Sequence, residues 1–388
     1  MIKNISKFFL KTELIYGAGS VNKIIEIIKH FNKEIYILID PALEKKGVWK
    51  KIDAQLKDNK INNYNVFYDV ESQPTTRTVE EASEFFGFDN KGVLIAIGGG
   101  STIDTAKAVS MKIAEPNNKM RDFFGLEWEF SKPVMPIIAI PTTAGTGSEV
   151  THTTVITDKE TNVKMGIRHT KIIPKIAILD HELLSTIPPK MAAITGIDAL
   201  THALEAFICN IGTPITDAMS LSSIKLIFNN LKKFVSDPEN NHTARENMLL
   251  ASLLAGISIT NAGVCLGHVL AAPLGVKYHL SHGEACAISI LPILKYNFIA
   301  CEEKYAEISE ILDSTCFSFS YREKALHAIK LIKDFMDDLE INYTFRSLGI
   351  DYKFEQKFVD DAITMKPLGW NPRKINRVKL TKLFESLE

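Results

Sequence analysis

At 388 residues the chain has the length of two or three domains, counting roughly 150 residues for each. Its 46% apolar and 23% charged content is that of a globular protein with a large core. A formal net charge of −1, with Lys and Arg scattered among acids, excludes the electrostatic footprint of a nucleic-acid or membrane-surface partner.

The N-terminal stretch MIKNISKFFLKTELIYGAG breaks its apolar run at Lys11 and Glu13 and has no signal-peptide core. No apolar run approaches the ~20 residues needed to span a bilayer. Five cysteines, Cys209, Cys265, Cys286, Cys301 and Cys316, form no C-x-x-C pair, so reduced thiols are expected. The expectation is a soluble, cytoplasmic protein with no membrane partner.

Residues 1–187 alternate strand-like and helix-like segments. EIYILID (34–40), GVLIAIGGG (92–100), VMPIIAIPTT (134–143) and KIAILD (175–180) are short, continuous apolar runs. Such runs suit parallel strands buried on both faces. Helical patterns at 20–31 and 78–88 lie between them, which predicts an α/β domain. TTVITDKETNVKMGI (153–167) reads as a β-hairpin with its turn at Asp158–Thr161.

GVLIAIGGGSTIDTAKAVS predicts a buried strand, a glycine loop and a helix. Ser101 is the expected N-cap, with Asp104 reaching back or favouring the positive helix end. Backbone N–H groups at such a start bind phosphate, although a plain tight turn also fits. The loop is not the common dinucleotide fingerprint, because Ile103 stands where G-x-G-x-x-G needs glycine. Asp40, an acid able to hold a ribose, precedes the glycines instead of following them. A second small-residue stretch, PTTAGTGSEVT (141–151), follows the next strand and could line the same ligand.

Paired prolines in STIPPK (185–190) mark a boundary. Beyond it the pattern is helical at 191–209, 214–235, 243–260, 263–274, 284–300, 303–314 and 321–339, which predicts an all-α domain over 188–388. In TGIDALTHALEAF, Asp198 and His202 are four apart and share a helix face. Alone, such a pair also fits a buried ion pair. His268 lies in another apolar helix, and His282 stands beside Gly283 where a further helix begins. Three imidazoles and a carboxylate in apolar surroundings suit Fe²⁺ or Zn²⁺, and buried without a metal they would be costly.

The stretches GGGSTIDTAKA, PTTAGTGSEVT, KMGI, GIDALTHALEAF, GHVLAAPLG, HGEACAISILP and NPR (371–373) run in one order along the chain. In these the chain resembles the iron-containing (group III) alcohol dehydrogenases. The resemblance implies the dehydroquinate synthase-like architecture: an α/β nucleotide-binding domain (1–187), an all-α metal and substrate domain (188–388), and an active-site cleft between them. It implies Fe²⁺, or alternatively Zn²⁺, held by Asp198, His202, His268 and His282. It also implies a nicotinamide cofactor over Gly99, Gly100 and Ser101, with Asp104, Thr142 and Thr143 beside it and Lys164 at the ribose. A homodimer through the N-terminal strands is typical. Asp40 should favour NAD(H) over NADP(H), since a carboxylate accepts from the 2′-OH and repels a 2′-phosphate.

The implied reaction is hydride transfer between NAD(H) and a small primary alcohol or aldehyde. The alternatives are reduction of a hydroxy-, phospho- or sulfo-aldehyde, a cyclising lyase of the dehydroquinate synthase type, and a non-catalytic metal- and NAD-binding protein. One departure bears on the proton path. Many relatives carry a second histidine four residues after the one matching His268, whereas Ala272 stands here. His279 is the alternative proton relay. Equally, Ala272 makes room for a larger or charged substrate, with Lys277 as an anion contact.

Overall fold

The structure is a computed structural model and describes residues 6–45, 47–125, 128–161 and 163–387. The chain divides into two compact units, with the main break at Ile187/Pro188.

The first unit is built on β1 (Glu13–Tyr16), α1 (Ile24–Phe31), β2 (Glu34–Ile39), α2 (Pro41–Lys45), α3 (Val48–Asp58), β3 (Tyr64–Phe67), α4 (Thr76–Phe86), β4 (Gly92–Gly98), α5 (Gly100–Ala114), β5 (Ile137–Pro141), β6 (Thr153–Asp158), β7 (Val163–Arg168) and β8 (Ile176–Leu179). Six strands form one parallel sheet in the order β1-β8-β5-β4-β2-β3. The continuous apolar runs follow from burial on both faces. Ile35, Ile37, Ile39, Val93, Ile95 and Ile97 pack on one side with α1 and α3. Tyr36, Leu38, Leu94 and Ala96 pack on the other with α4 and α5. The expected hairpin is present as antiparallel β6 and β7. β1 and β3 were not expected. They are the two edges, only four residues each and partly exposed, so they lack the continuous apolar signal.

The second unit contains α6 (Pro189–Ile208), α7 (Pro214–Ser236), most of α8 (His242–Ala262), α9 (Leu266–Lys277), α10 (His282–Asn297), α11 (Glu302–Leu312), α12 (Tyr321–Asp338), α13 (Gln356–Ile363) and α14 (Arg377–Glu385). The last two were missed because they are short; they pack around Phe345, Tyr352 and Phe384 against α9 and α10.

The division at 187/188 needs two corrections. Residues up to Phe9 belong with the helical unit, where Phe9 N–H donates to Asn261 Oδ1 and Asn261 Nδ2 donates back to Phe9 O. Pro238–Leu249 belongs with the α/β unit, where the buried Arg245 donates to Glu182 at 2.9 Å. One further expectation is corrected. By length and composition α6 does reach the dimension of a bilayer span. It is instead a buried core helix carrying Asp198, His202 and Glu205 on its inner surfaces.

Candidate metal centre

The α6 helix starts with Pro189 at its first turn, where the missing N–H costs nothing. Nine and thirteen residues later come Asp198 and His202, both buried. α8 and α9 meet at a bend of 106°, made at Gly263 with φ +76°. His268 is in the first turn of α9. His282 opens α10, whose N-cap Ser281 accepts from Glu284 N–H while the Glu284 carboxylate accepts from Ser281 N–H at 3.0 Å. This capping box is written in the sequence as S-x-x-E.

The glycines flanking the two later histidines let these elements approach α6. A Cβ on Gly283 would fall 2.5 Å from the Ile194 carbonyl oxygen, and one on Gly267 would fall 2.9 Å from Glu205 Oε1. At Gly283 the obstacle is backbone, so no L side chain fits without moving the helix, whereas at Gly267 a side chain would displace the Glu205 carboxylate.

The result brings one ligand atom from each of Asp198, His202, His268 and His282 within 4.8 Å of the others. Asp198 Oδ1 lies 4.0 Å from His202 Nε2 and 3.6 Å from His282 Nε2. The rings of His202 and His268 stack at 4.7 Å. Burial acts to raise the Asp198 carboxyl, but the facing His202, His282 and His268 and the Cys286 thiol hold it below its ordinary value. Asp198 Oδ1 is fully buried with no N–H or O–H donor on it, and the Cys286 thiol is the side chain that hydrogen-bonds this carboxylate. An orphaned buried carboxylate oxygen among convergent nitrogens is what an open divalent-cation site requires and what a metal-free core would avoid. The His282 side chain is 37% exposed against 6% for His202, so the centre opens on the His282 side.

Glu205 was missed from the sequence. It is three residues beyond His202 and completely buried. Its carboxylate accepts from His268 Nδ1 at 2.5 Å, Gly267 N–H at 2.5 Å and His268 N–H at 3.3 Å. Burial acts to raise its carboxyl, but the His268 bond and charge and the Gly267 amide hold it below the usual range. An ionised Glu205 keeps the proton on Nδ1 and leaves Nε2 bare for a metal. The signal was a glutamate inside an apolar helix, ALEAF.

Among the described residues, His181, Glu182 and His242 also cluster. There the Arg245 guanidinium, 2.9 Å from Glu182 Oε1 and 2.8 Å from His242 Nδ1, already supplies the positive charge.

The nucleotide-loop residues gather at the carboxyl ends of β2, β4 and β5. Asp40, remote in sequence from the glycines, is beside them in space: a Cβ on Gly98 would lie 3.1 Å from the Asp40 Cβ. Asp40 Oδ1 accepts from Ala42 N–H at 2.9 Å, capping α2. Gly100 lets the two loops touch, since a Cβ there would fall 2.5 Å from Thr146. Thr142 N–H donates to Gly98 O, and Thr143 is the nearest side chain to Gly99.

Two local expectations are corrected. Gly99, not Ser101, is the N-cap of α5, without a side-chain cap; Ser101 Oγ donates instead to Ser72 O at 2.5 Å. The first-turn amides of α5 are therefore not engaged by that side chain. Asp104 does not reach back to the helix start. It accepts from Ser148 Oγ and from Val155 N–H at 2.9 Å, joining α5 to the hairpin. Lys164, on β7 opposite Thr157, acts on Asp104 by its charge. Lys107, unremarked in the sequence, is fully buried and donates to Ser148, Thr151 and Thr153 O at 2.8–2.9 Å.

His279 is exposed in a left-handed turn (φ +52°) closing α9, and no hydrogen bond or ring contact links it to the ligand histidines. Lys277 is no free anion contact, because Glu355 pairs with it and raises its pKa. Ala272 is half-buried on α9. Asn371 and Arg373 of the NPR stretch are structural: Asn371 and Asn297 exchange two amide hydrogen bonds, and Arg373 donates to Tyr296 O.

Comparison with known proteins agrees with this geometry. The N-terminal iron-containing alcohol dehydrogenase model matches residues 11–181, and the C-terminal model of the Fe-containing alcohol dehydrogenase family matches residues 192–387. The NAD-dependent methanol dehydrogenase of Bacillus methanolicus is 33% identical over 369 residues, covering 95% of this chain and 96% of its own. The sulfoacetaldehyde reductase of Bilophila wadsworthia is 31% identical over 381 residues, covering 96% and 97%. The crystal structure of a 1,3-propanediol oxidoreductase superposes with a TM-score of 0.93 at 31% identity, covering 99% of this chain and 100% of the other. Matched along nearly its whole length, the chain belongs to the iron-containing alcohol dehydrogenase family.

Proposed function

We propose that this protein interconverts a small primary alcohol and its aldehyde with NAD(H) at an Fe²⁺ centre, working as a cytoplasmic homodimer. The observation that carries the reading is the orphaned Asp198 Oδ1 facing three imidazoles, with Glu205 setting the tautomer of one. When bound, the divalent ion supplies Lewis-acid polarisation of the substrate oxygen and the nicotinamide supplies or takes the hydride.

The chain's own residues do the rest. Asp198 offsets cation charge. Glu205 orients His268. The α5 amides, presented by the closely packed glycine and threonine loops, suit a pyrophosphate. Asp40 beside those glycines favours an unphosphorylated ribose. Ala272 can neither give nor take a proton, and the exposed His282 side would leave solvent water as the proton donor and acceptor.

The test is NADH oxidation at 340 nm, anaerobically, with and without Fe²⁺, against short aliphatic aldehydes and a sulfonated aldehyde. Metal-dependent turnover of the uncharged aldehydes is expected. Turnover of the sulfonated aldehyde alone would favour the functionalised-aldehyde reading. Bound metal and NAD without turnover of any aldehyde would leave a binding role. The edge strand β1, with Tyr16 exposed, is the expected dimer seam, checked by light scattering.

A further inference from the structure

Cys286 alone of the five cysteines stands four residues after a ligand histidine, His282, and both lie on α10, so the two side chains leave the same helix face. Its Sγ lies 3.9 Å from His282 Nε2 and 4.0 Å from His268 Nε2. Those separations match the spacing of the oxygen and nitrogen donors themselves, 3.6 Å and 4.0 Å from Asp198 Oδ1. In a five-coordinate shell, metal–sulfur and metal–nitrogen bonds of about 2.3 and 2.05 Å at angles of about 90–120° put S and N about 3.1–3.8 Å apart. The observed separations lie just beyond the upper end of that range, so a small closing movement brings the sulfur to bonding distance. The residue is completely buried, its thiol hydrogen-bonds the Asp198 carboxylate, and Asp198 Oδ1, which no N–H or O–H reaches, marks the same space as made for a cation. Cys209 is engaged elsewhere, with its thiol donating to Trp370 O.

We propose that Cys286 is a fifth donor of the metal centre, a thiolate that thiophilic divalent ions such as Zn²⁺ and Co²⁺ engage beside the Asp/His set. This rests on the metal-centre reading above. One S–H bond breaks, one sulfur–metal bond forms, the proton passes to solvent and no electrons change hands. A soft donor beside three imidazoles and one carboxylate shifts preference toward Zn²⁺ over Fe²⁺.

The experiment titrates metal-stripped, full-length protein with Co²⁺ under argon and records absorbance and proton release. Wild type and Cys316→Ser should bind one Co²⁺ with ligand-field bands and a near-ultraviolet thiolate-to-cobalt charge-transfer band. Cys286→Ser should keep the ligand-field bands, lose the charge-transfer band and release one proton fewer. Its Zn²⁺ affinity should fall about 10–100-fold, with a smaller fall for Fe²⁺. Wild type binding Co²⁺ without the charge-transfer band, or Cys286→Ser retaining it, overturns the proposal. The wild-type spectrum alone decides, so poor folding of the variant does not protect the idea. Failure of wild type to bind Co²⁺ at all would bring down the metal centre itself and this donor with it.

Discussion

Replacing Glu205 with glutamine changes one atom and should weaken the metal centre sharply. The carboxylate accepts three N–H groups, those of His268 Nδ1, Gly267 and His268. Glutamine offers one accepting oxygen and a donating NH₂. If the oxygen faces His268 Nδ1, the NH₂ confronts the buried Gly267 amide, leaving donors opposed at a cost of about 1–3 kcal/mol. If the NH₂ faces His268, Nδ1 must accept and the ring proton moves to Nε2, which then cannot ligate. Either way metal affinity should drop about 10–100-fold, or roughly 1.4–2.7 kcal/mol, the usual effect of losing such a supporting contact. Chelator competition with Co²⁺ measures the affinity, and denaturant unfolding of the metal-free protein measures the stability term separately. Unchanged affinity in a folded Glu205→Gln protein would show that Glu205 does not set the His268 tautomer.

Gly283→Ala should destabilise by about 1–3 kcal/mol through overpacking, because its Cβ meets the Ile194 carbonyl oxygen at 2.5 Å; a wild-type melting temperature and metal content would contradict the packing argument. Asp40→Gly should raise kcat/KM for NADPH relative to NADH by about tenfold or more, since a like-charge contact worth several kcal/mol is removed. Gly still caps α2 adequately, so stability should change by only a few tenths of a kcal/mol; an unmoved cofactor ratio would rule out Asp40 as the discriminator. Burial raises the Glu149 carboxyl from 4.5 to about 7, with its own backbone amide and Lys107 opposing. Between those values the native state holds a proton that the unfolded chain has released, so this contribution is full below 4.5 and is lost as pH rises through about 7. The stability of Glu149→Gln relative to wild type should therefore increase across that window. Denaturant midpoints at either end test this, and a pH-independent difference would refute it.

Much of this protein is legible in one dimension wherever a local pattern has a single physical reading. Continuous Ile/Val runs require strands buried on both faces, and β2, β4, β5 and β8 are where those runs lie. Asp198 and His202 needed only helical periodicity to share a face. His268 and His282 were recognisable because histidines beside glycines in apolar helices have few other uses. The short edge strands β1 and β3 and the helices α13 and α14 escaped because their stability comes from neighbours, not from their own periodicity.

What only tertiary structure decided is the set of long-range partners. Glu205 and His268 are 63 residues apart, Asp40 and Gly98 nearly as far, and Cys286 gains its meaning from a helix packed across from its own. Sequence specifies which elements form and which face is apolar, because those depend on spacing along the chain. Which buried carboxylate meets which imidazole depends on how closely two helices pack, and that is set by single glycines such as Gly267 and Gly283.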